Sequence, residues 1–294
     1  MKLATFSDAQ GSRVGLLNAD AGLVHDISKL LPPGAGLLEV IERWDEFRAP
    51  LAANAFDMPG SPVTSVRLRA PLPAPRRNIF CVGKNYREHV AEFGRSGYDT
   101  PSRSEALPDK PIFFSKATTS VVGPSDDIKS HSDITQELDY EGELAVIIGR
   151  GGRNISREQA FDHVWGYSVL NDVTARDLQR DHKQWFLGKS LDTHCPMGPC
   201  AVTADEISDV SALKLDTKVN GEVRQSGQVK DLIFDVPDLI ATLSAGITLL
   251  PGDIIATGTP AGVGIGFAPP KFLRKGDVVE VSITGLGSLR NRIA

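Results

Sequence analysis

The amino-acid sequence predicts an α+β fold that is rich in β-structure. Many short apolar runs contain β-branched residues and end in glycine, asparagine or aspartate, a pattern typical of strands joined by turns. Only a few segments show apolar residues at helical spacing. A connection containing five prolines, at positions 59, 62, 71, 73 and 75, lacks both patterns. We therefore expect a small N-terminal β/α domain at residues 1–75 and a larger domain at residues 76–294.

The N-terminal part begins with three apolar stretches, at residues 3–6, 14–17 and 23–27. Two turn-forming segments separate them, so the sequence predicts a short antiparallel meander. Apolar residues then recur at helical spacing over residues 37–55, which predicts one or two helices.

The larger part continues the β-rich pattern. Strands are predicted at residues 78–83, 110–116, 144–148, 164–170, 250–257 and 275–283, and a helix at residues 237–249. Asn220 and Gly221 form the dipeptide that favours a two-residue hairpin between paired strands. Ser156, with Gln159 three residues later, fits the start of a helix.

Composition narrows the possible partners. The chain has 294 residues and a net charge of −5, with acidic and basic residues interspersed, which argues against a nucleic-acid partner or an anionic membrane surface. No apolar run approaches the roughly 20 residues of a membrane span. Three cysteines in a long chain predict free thiols in a reducing compartment. We expect a cytoplasmic protein that acts on a small molecule.

A run of alternating acids precedes the most apolar predicted strand. Asp139, Glu141 and Glu143 should project to one side of it, because side chains alternate along a strand. Buried carboxylates need a positive partner, and a divalent cation would supply one. The alternative is an exposed strand end that faces lysines. Asp172 ends the next predicted strand, and if the two strands are neighbours it joins Glu141 and Glu143 as a third oxygen ligand for Mg²⁺ or Mn²⁺.

Two further side chains have the spacing of a histidine general base and the carboxylate that orients it. His89 and Glu92 are three residues apart, so on a helix the carboxylate can orient the imidazole. The same spacing is also common on ordinary surface helices. The polar segment that follows, residues 93–109, is long for a loop within a domain and could form a lid over a site.

Two glycine-containing segments complete the list of candidates. Gly188 and Lys189 resemble the end of a phosphate loop, but Lys183 stands where that motif requires glycine. Lys189 is then either a cation near the site or a surface lysine. The loop at residues 258–266 either packs its backbone against a small ligand, with Thr259 binding a carboxylate, or forms a wide turn.

Together these segments resemble the fumarylacetoacetate hydrolase (FAH) family. The matching stretches are GKNYREH at 83–89, FSK at 114–116, YEGELAVIIG at 140–149, NDVTARD at 171–177, GKSLDT at 188–193 and PGDIIATGTP at 251–260. The resemblance implies a mixed β-sandwich roll, a small N-terminal domain and a homodimer.

The resemblance also assigns roles. It implies that Glu141, Glu143 and Asp172 bind Mg²⁺, Mn²⁺ or Ca²⁺, and that Asp139 is not a ligand. His89 and Glu92 would activate water and Lys189 would polarise the substrate. The remaining family positions that contact substrate oxygens are Arg176, Gln179 and Thr259.

The implied chemistry centres on an enolate that the metal stabilises. With an activated water the reaction is hydrolysis of a carbon–carbon bond in an acylpyruvate or another 2,4-dioxo acid, our first expectation. The same enolate arises in oxaloacetate decarboxylation and in keto–enol isomerisation, and relatives include ureidoglycolate lyase-like proteins. A non-catalytic 2-oxo acid binding protein is the alternative from another class. A metal-dependent nuclease would need a basic face, which this charge distribution does not offer.

Overall fold

A computed structural model describes residues 1–97 and 107–294. The strands are β1 (Lys2–Asp8), β2 (Gly11–Asn18), β3 (Leu23–Asp26), β4 (Gly60–Pro62), β5 (Arg67–Leu68), β6 (Ile79–Gly83), β7 (Ile112–Lys116), β8 (Val121–Val122), β9 (Leu138–Asp139), β10 (Gly142–Ile148), β11 (Val164–Asn171), β12 (Thr174–Ala175), β13 (Cys195–Thr203), β14 (Lys214–Val219), β15 (Glu222–Gln228), β16 (Ile254–Ala256), β17 (Val278–Ile283) and β18 (Gly287–Arg292). The α-helices are α1 (Leu37–Glu42), α2 (Trp44–Asn54), α3 (Arg87–Arg95), α4 (Arg176–Asp181), α5 (Phe186–Lys189) and α6 (Val236–Ser244). The prediction of a β-rich α+β fold is confirmed.

One large mixed sheet carries most of the strands. Its main path runs β4-β3-β2-β1-β13-β11-β10-β16-β6-β7, with β5 paired to β1 and β8 to β13. The N-terminal meander joins the sheet through β1, where Leu3 pairs with Ala201 of β13. The division into domains at residues 1–75 and 76–294 stays a prediction.

Strand β10 lies at the centre of the molecule and separates two hydrophobic cores. Its residues Leu144, Val146 and Ile148 point into a core shared with the second sheet, ordered β15-β14-β17-β18. The alternating residues Ala145 and Ile147 point into a core formed with the N-terminal helices. All seven residues of β10 are buried, so the prediction of a strand covered on both faces is confirmed.

Two helix predictions differ from the structure, and several strands, β13 and β18 among them, were not predicted. The helix expected at Ser156 is a 3₁₀-helix, Arg157–His163, and the Ser156 side chain makes no capping hydrogen bond to it. Helix α6 ends at Ser244, five residues before the predicted end, because Gly246 follows, a poor helix former. Strand β18 was not predicted, since its polar residues hide the alternation of its buried Leu289 and Asn291.

Three other expectations concern the proposed lid, the cysteines and membrane spans. Most of the segment proposed as a lid, residues 98–106, lies outside the described residues. All three cysteines are buried and unpaired, as expected. In the part of the chain that the structure covers, no helix has the length and apolar character needed to cross a membrane.

Replacing Gly166 by alanine is expected to destabilise the protein by about 1–3 kcal/mol or more. Gly166 lies in β11, and a methyl group there would collide with the backbone carbonyl oxygen of Val202 on β13, which cannot move without disturbing the sheet. The free energy of unfolding in urea measures the effect. Gly246→Ala is the control, because nothing lies within 4 Å of its added methyl group. Equal stability of the two variants would contradict this account of β11 packing.

Candidate active site

Three carboxylates meet at the corner where β11 ends beside the start of β10. The strands are antiparallel with Gly142 opposite Asn171, which places Asp172 next to Glu141 and Glu143. The Asp172 N–H donates to the Glu141 carbonyl oxygen at 2.8 Å and fixes this corner. One carboxylate oxygen from each acid lies within 4.8 Å of the others. The exposed fractions of Glu141, Glu143 and Asp172 are 5%, 1% and 0%, so the alternative of an exposed strand end is excluded.

Two buried lysines neutralise part of this charge. Lys116, at the end of β7, donates to Oδ1 of Asp172 at 2.6 Å. Lys189, at the end of α5, donates to Oδ2 of Asp172 and to Oε2 of Glu141, both at 2.7 Å. Burial opposes the charged form of Lys189, but the two carboxylates raise its pKa. Lys189 is therefore a buried cation of the site and not a surface lysine.

Arg176 opens helix α4 and contacts three side chains. Its Nε donates to Oδ2 of Asp139 at 2.9 Å and its Nη1 donates to Oε1 of Gln179 at 3.1 Å. Its Nη2 forms an ion pair with Oε1 of Glu141 at 2.7 Å. Burial alone would raise the pKa of Glu141, but Lys189 and Arg176 outweigh it and lower the pKa to about 2.

Glu143 is the carboxylate without a cation. No lysine or arginine of the described residues forms an ion pair with it, and its clear partner is the Gly258 N–H, which donates at 2.8 Å. Burial, followed by the charges of Asp172 and Glu141, raises the pKa of Glu143 well above its usual value. Three oxygen donors with one uncompensated charge fit a hard divalent cation such as Mg²⁺ or Mn²⁺, which would supply the missing positive charge.

The His89 side chain lies in the same cavity. Helix α3 buries His89 and Phe93 on one face, and Nδ1 of His89 lies 3.2 Å from Oε2 of Glu92. The cavity is small, with about 20 Å³ of space for the centres of water molecules. Its lining contains Val82, Gly83, Lys84, His89, Phe93, Phe114, Glu141, Glu143, Arg176, Gln179, Trp185, Lys189 and Thr259. The structure thus brings most of the predicted site residues to one cavity, with Asp172 buried behind Lys189 and Glu92 behind His89.

Thr259 lines the cavity, but its hydroxyl already has two protein partners. It donates to the Gly142 carbonyl oxygen at 2.9 Å and accepts from Nε2 of Gln225 at 2.7 Å. Asp139 lies outside the carboxylate trio, as the sequence resemblance implied, and its oxygens accept backbone N–H groups of the glycine-rich loop. The backbone of that loop therefore packs closely against protein carboxylates.

Sequence reasoning missed Lys116 and the aromatic walls of the cavity. Lys116 ends a predicted strand, a position that could have directed attention to it. Trp185 packs so closely against Gly83 that a methyl group there would collide with its ring, and Phe114 meets the Trp185 ring edge-on at 5.4 Å. These contacts join residues that are distant in the chain, and no local sequence pattern announces them.

Known proteins resemble this chain over most of its length. A sequence model of the fumarylacetoacetate (FAA) hydrolase C-terminal domain matches residues 78–294. The oxaloacetate tautomerase YisK of Bacillus subtilis strain 168 is 51% identical over 271 residues, which cover 89% of this chain and 87% of that protein.

Solved structures give the same result. A fumarylacetoacetate hydrolase from the psychrophile Exiguobacterium antarcticum matches with a TM-score of 0.86 and 46% identity, covering 100% of this chain and 99% of that one. A maleylpyruvate hydrolase from Sphingobium sp. SYK-6, solved with manganese(II) and pyruvate, matches with a TM-score of 0.80 and 30% identity over 100% and 99% of the two chains. The chain therefore belongs to the fumarylacetoacetate hydrolase family of enzymes.

Proposed function

We propose that this protein is a divalent-metal-dependent keto–enol tautomerase of a small 2-oxo dicarboxylic acid such as oxaloacetate. The observation that carries the proposal is the buried carboxylate trio with one uncompensated charge, on Glu143, in a cavity that also holds Arg176 and His89. The name of the 51% identical relative, an oxaloacetate tautomerase, supports this choice within the family.

We propose Glu141, Glu143 and Asp172 as the residues that hold the metal. Their all-oxygen donor set favours Mg²⁺ or Mn²⁺, with Ca²⁺ also compatible. When bound, the cation would make it easier for negative charge to develop on the 2-oxo oxygen of the substrate.

The cations around the trio bind and orient the acid. The Nη2 group of Arg176 forms an ion pair with Oε1 of Glu141 at 2.7 Å at the edge of the cavity, and a substrate carboxylate would share this guanidinium. Gln179 fixes the other edge of the same guanidinium through its Oε1. Lys189 stands between Glu141 and Asp172 and adds positive charge where the enolate oxygen develops.

His89 and Glu92 move the proton at C3. A proton on Nδ1 that is donated to Oε2 of Glu92 leaves Nε2 free to accept another. Negative charge on Glu92 then stabilises the imidazolium that forms. In the keto-to-enol direction, His89 removes a C3 proton, the electrons of that C–H bond form the C2–C3 double bond, and the imidazolium or water gives a proton to the 2-oxo oxygen. The enol-to-keto direction reverses these transfers. The aromatic walls at Phe93, Phe114 and Trp185 reduce access of water.

Hydrolysis of an acylpyruvate is the second candidate function. The pair of His89 and Glu92 can equally activate water for attack on a C4 ketone. The maleylpyruvate hydrolase of Sphingobium, with its manganese and pyruvate, supports this candidate.

The two candidates differ in whether pyruvate is released. We expect that oxaloacetate with Mg²⁺ or Mn²⁺ loses its enol absorbance faster with the protein present, without release of pyruvate. Acylpyruvates and sugar-derived 2,4-dioxo acids, assayed in the same panel, would release pyruvate if hydrolysis is the function. Pyruvate formed from oxaloacetate itself would identify decarboxylation. If no acid in the panel reacts but the acids bind, the protein is a 2-oxo acid binding protein and the proposal is wrong.

A further inference from the structure

We infer that Asp139 is a positioning residue. It fixes the position of the substrate-binding Arg176 and, through the glycine-rich loop, that of the proton-transfer pair His89 and Glu92. The inference rests on the proposed roles of Arg176 and Glu92. Asp139 is the acid of the alternating run that lies outside the carboxylate trio, so metal binding does not account for its burial.

The Asp139 carboxylate is fully buried and accepts four hydrogen bonds. Its Oδ1 accepts from the N–H groups of Tyr140 and Gly264, at 2.8 and 2.6 Å. Its Oδ2 accepts from the Ile265 N–H at 3.1 Å and from Nε of Arg176 at 2.9 Å. One carboxylate therefore ties the guanidinium to the glycine-rich loop at residues 262–266.

The same loop holds Glu92. The Gly262 N–H donates to Oε1 of Glu92 at 2.9 Å, while Oε2 of that carboxylate faces His89. The Tyr140 hydroxyl donates to the Gly262 carbonyl oxygen at 2.9 Å, so Asp139 and its neighbour fix the loop at both ends.

Glycine is required where the two carboxylates meet the loop. A methyl group on Gly264 would collide with Oδ1 of Asp139, and one on Gly266 would collide with the Glu92 carboxylate. Both carboxylates therefore approach the backbone more closely than a side chain would allow. This explains the glycines at positions 264 and 266 without a ligand at the loop, whereas a methyl group on Gly262 would collide with the Arg224 carbonyl oxygen.

The consequence concerns catalysis. A displacement of about 1 Å in the groups that bind or deprotonate a substrate can lower its turnover by about 10²-fold. Displacing the loop would shift Glu92, and with it His89, while releasing Nε of Arg176 would alter the binding of the substrate carboxylate. Asp139 thus acts on both sides of the cavity without touching the substrate.

The test compares Asp139→Asn with Tyr140→Phe and with a matched control. We expect Asp139→Asn to lower kcat by about 10- to 100-fold and to raise KM. Tyr140→Phe removes one hydrogen bond to the loop and leaves Arg176 in place, so we expect kcat to fall by about 2- to 10-fold at unchanged KM. Metal affinity, measured by calorimetry, should stay within about twofold of wild type in both variants, because the trio is intact.

The control is Asp253→Asn. Asp253 is also buried and pairs with an arginine, accepting from Nε of Arg77 at 2.7 Å outside the cavity. We expect this variant to lose stability and to keep its kcat.

Hydrogen–deuterium exchange gives a readout that does not depend on turnover. The Gly262 amide, which Asp139 does not contact, should exchange faster in Asp139→Asn and at the wild-type rate in Asp253→Asn. Unchanged exchange at Gly262, or a loss of kcat no greater than in the control, would overturn the inference. If wild-type protein turns over no acid, the proposed function fails, yet the exchange result still decides the role of Asp139.

Discussion

Replacing Glu143 by glutamine is expected to abolish metal binding and turnover together, while making the metal-free protein more stable. The Glu143 carboxylate is buried beside two other acids without a cation of its own, so its charge is costly until a metal binds. Glutamine keeps the oxygen that accepts the Gly258 N–H and offers an amide donor to Glu141 or Asp172. We expect a gain of about 1–3 kcal/mol in the free energy of unfolding, the scale of one uncompensated buried group.

Urea unfolding in the presence of a chelator measures this gain, and calorimetry with Mg²⁺ and Mn²⁺ measures the loss of binding. Asp20→Asn is the control, because Asp20 is exposed and lies in the turn between β2 and β3, away from the strands that carry the trio. Activity that survives chelation of the wild-type protein, or a Glu143→Gln variant that still binds metal, would contradict the proposed site. If both variants gain the same stability, the cause is the loss of one negative charge from the protein and not the removal of a buried charge at Glu143.

The trio was predictable because two simple rules determine it. Side chains alternate along a strand, which places Glu141 and Glu143 on one side, and strands that follow each other in the chain often pair. The pairing of β10 with β11 then brings Asp172 to the same corner. Each rule uses only residues that lie close in sequence or in consecutive elements.

The partners of the trio were harder to predict because they come from distant segments. Lys116 reaches Asp172 from β7, and Gly258 reaches Glu143 across 115 residues. The composition of the glycine-rich loop was consistent with a ligand or with a plain turn. Only the three-dimensional contacts identify its partners as the carboxylates of Asp139 and Glu92. A sequence pattern predicts the face of a strand or helix on which a side chain lies. It does not predict which distant residue that side chain contacts.

Replacing His89 by glutamine is expected to lower turnover by about 10²- to 10⁴-fold, the usual contribution of a positioned acid–base group. Glutamine nearly preserves the volume of the buried imidazole, which packs against Phe93 at 6.1 Å between ring centroids, but it cannot accept and release a proton near neutral pH. Metal binding should persist, because His89 is not part of the trio. Enol absorbance of oxaloacetate, followed at saturating Mn²⁺, measures the loss.

The His89 result separates catalysis by this chain from catalysis by the metal alone. In the absence of His89, a substrate polarised by a bound cation would still lose its C3 proton slowly to water. Full turnover in His89→Gln would therefore show that His89 is not the base. Glu92→Gln should lose less activity than His89→Gln, since it alters the orientation and charge of the imidazole but leaves the ring in place. His182→Gln, at an exposed histidine that follows α4, should match wild type. If the two single variants lose the same activity, and the double variant loses no more than either of them, then His89 and Glu92 act as one unit.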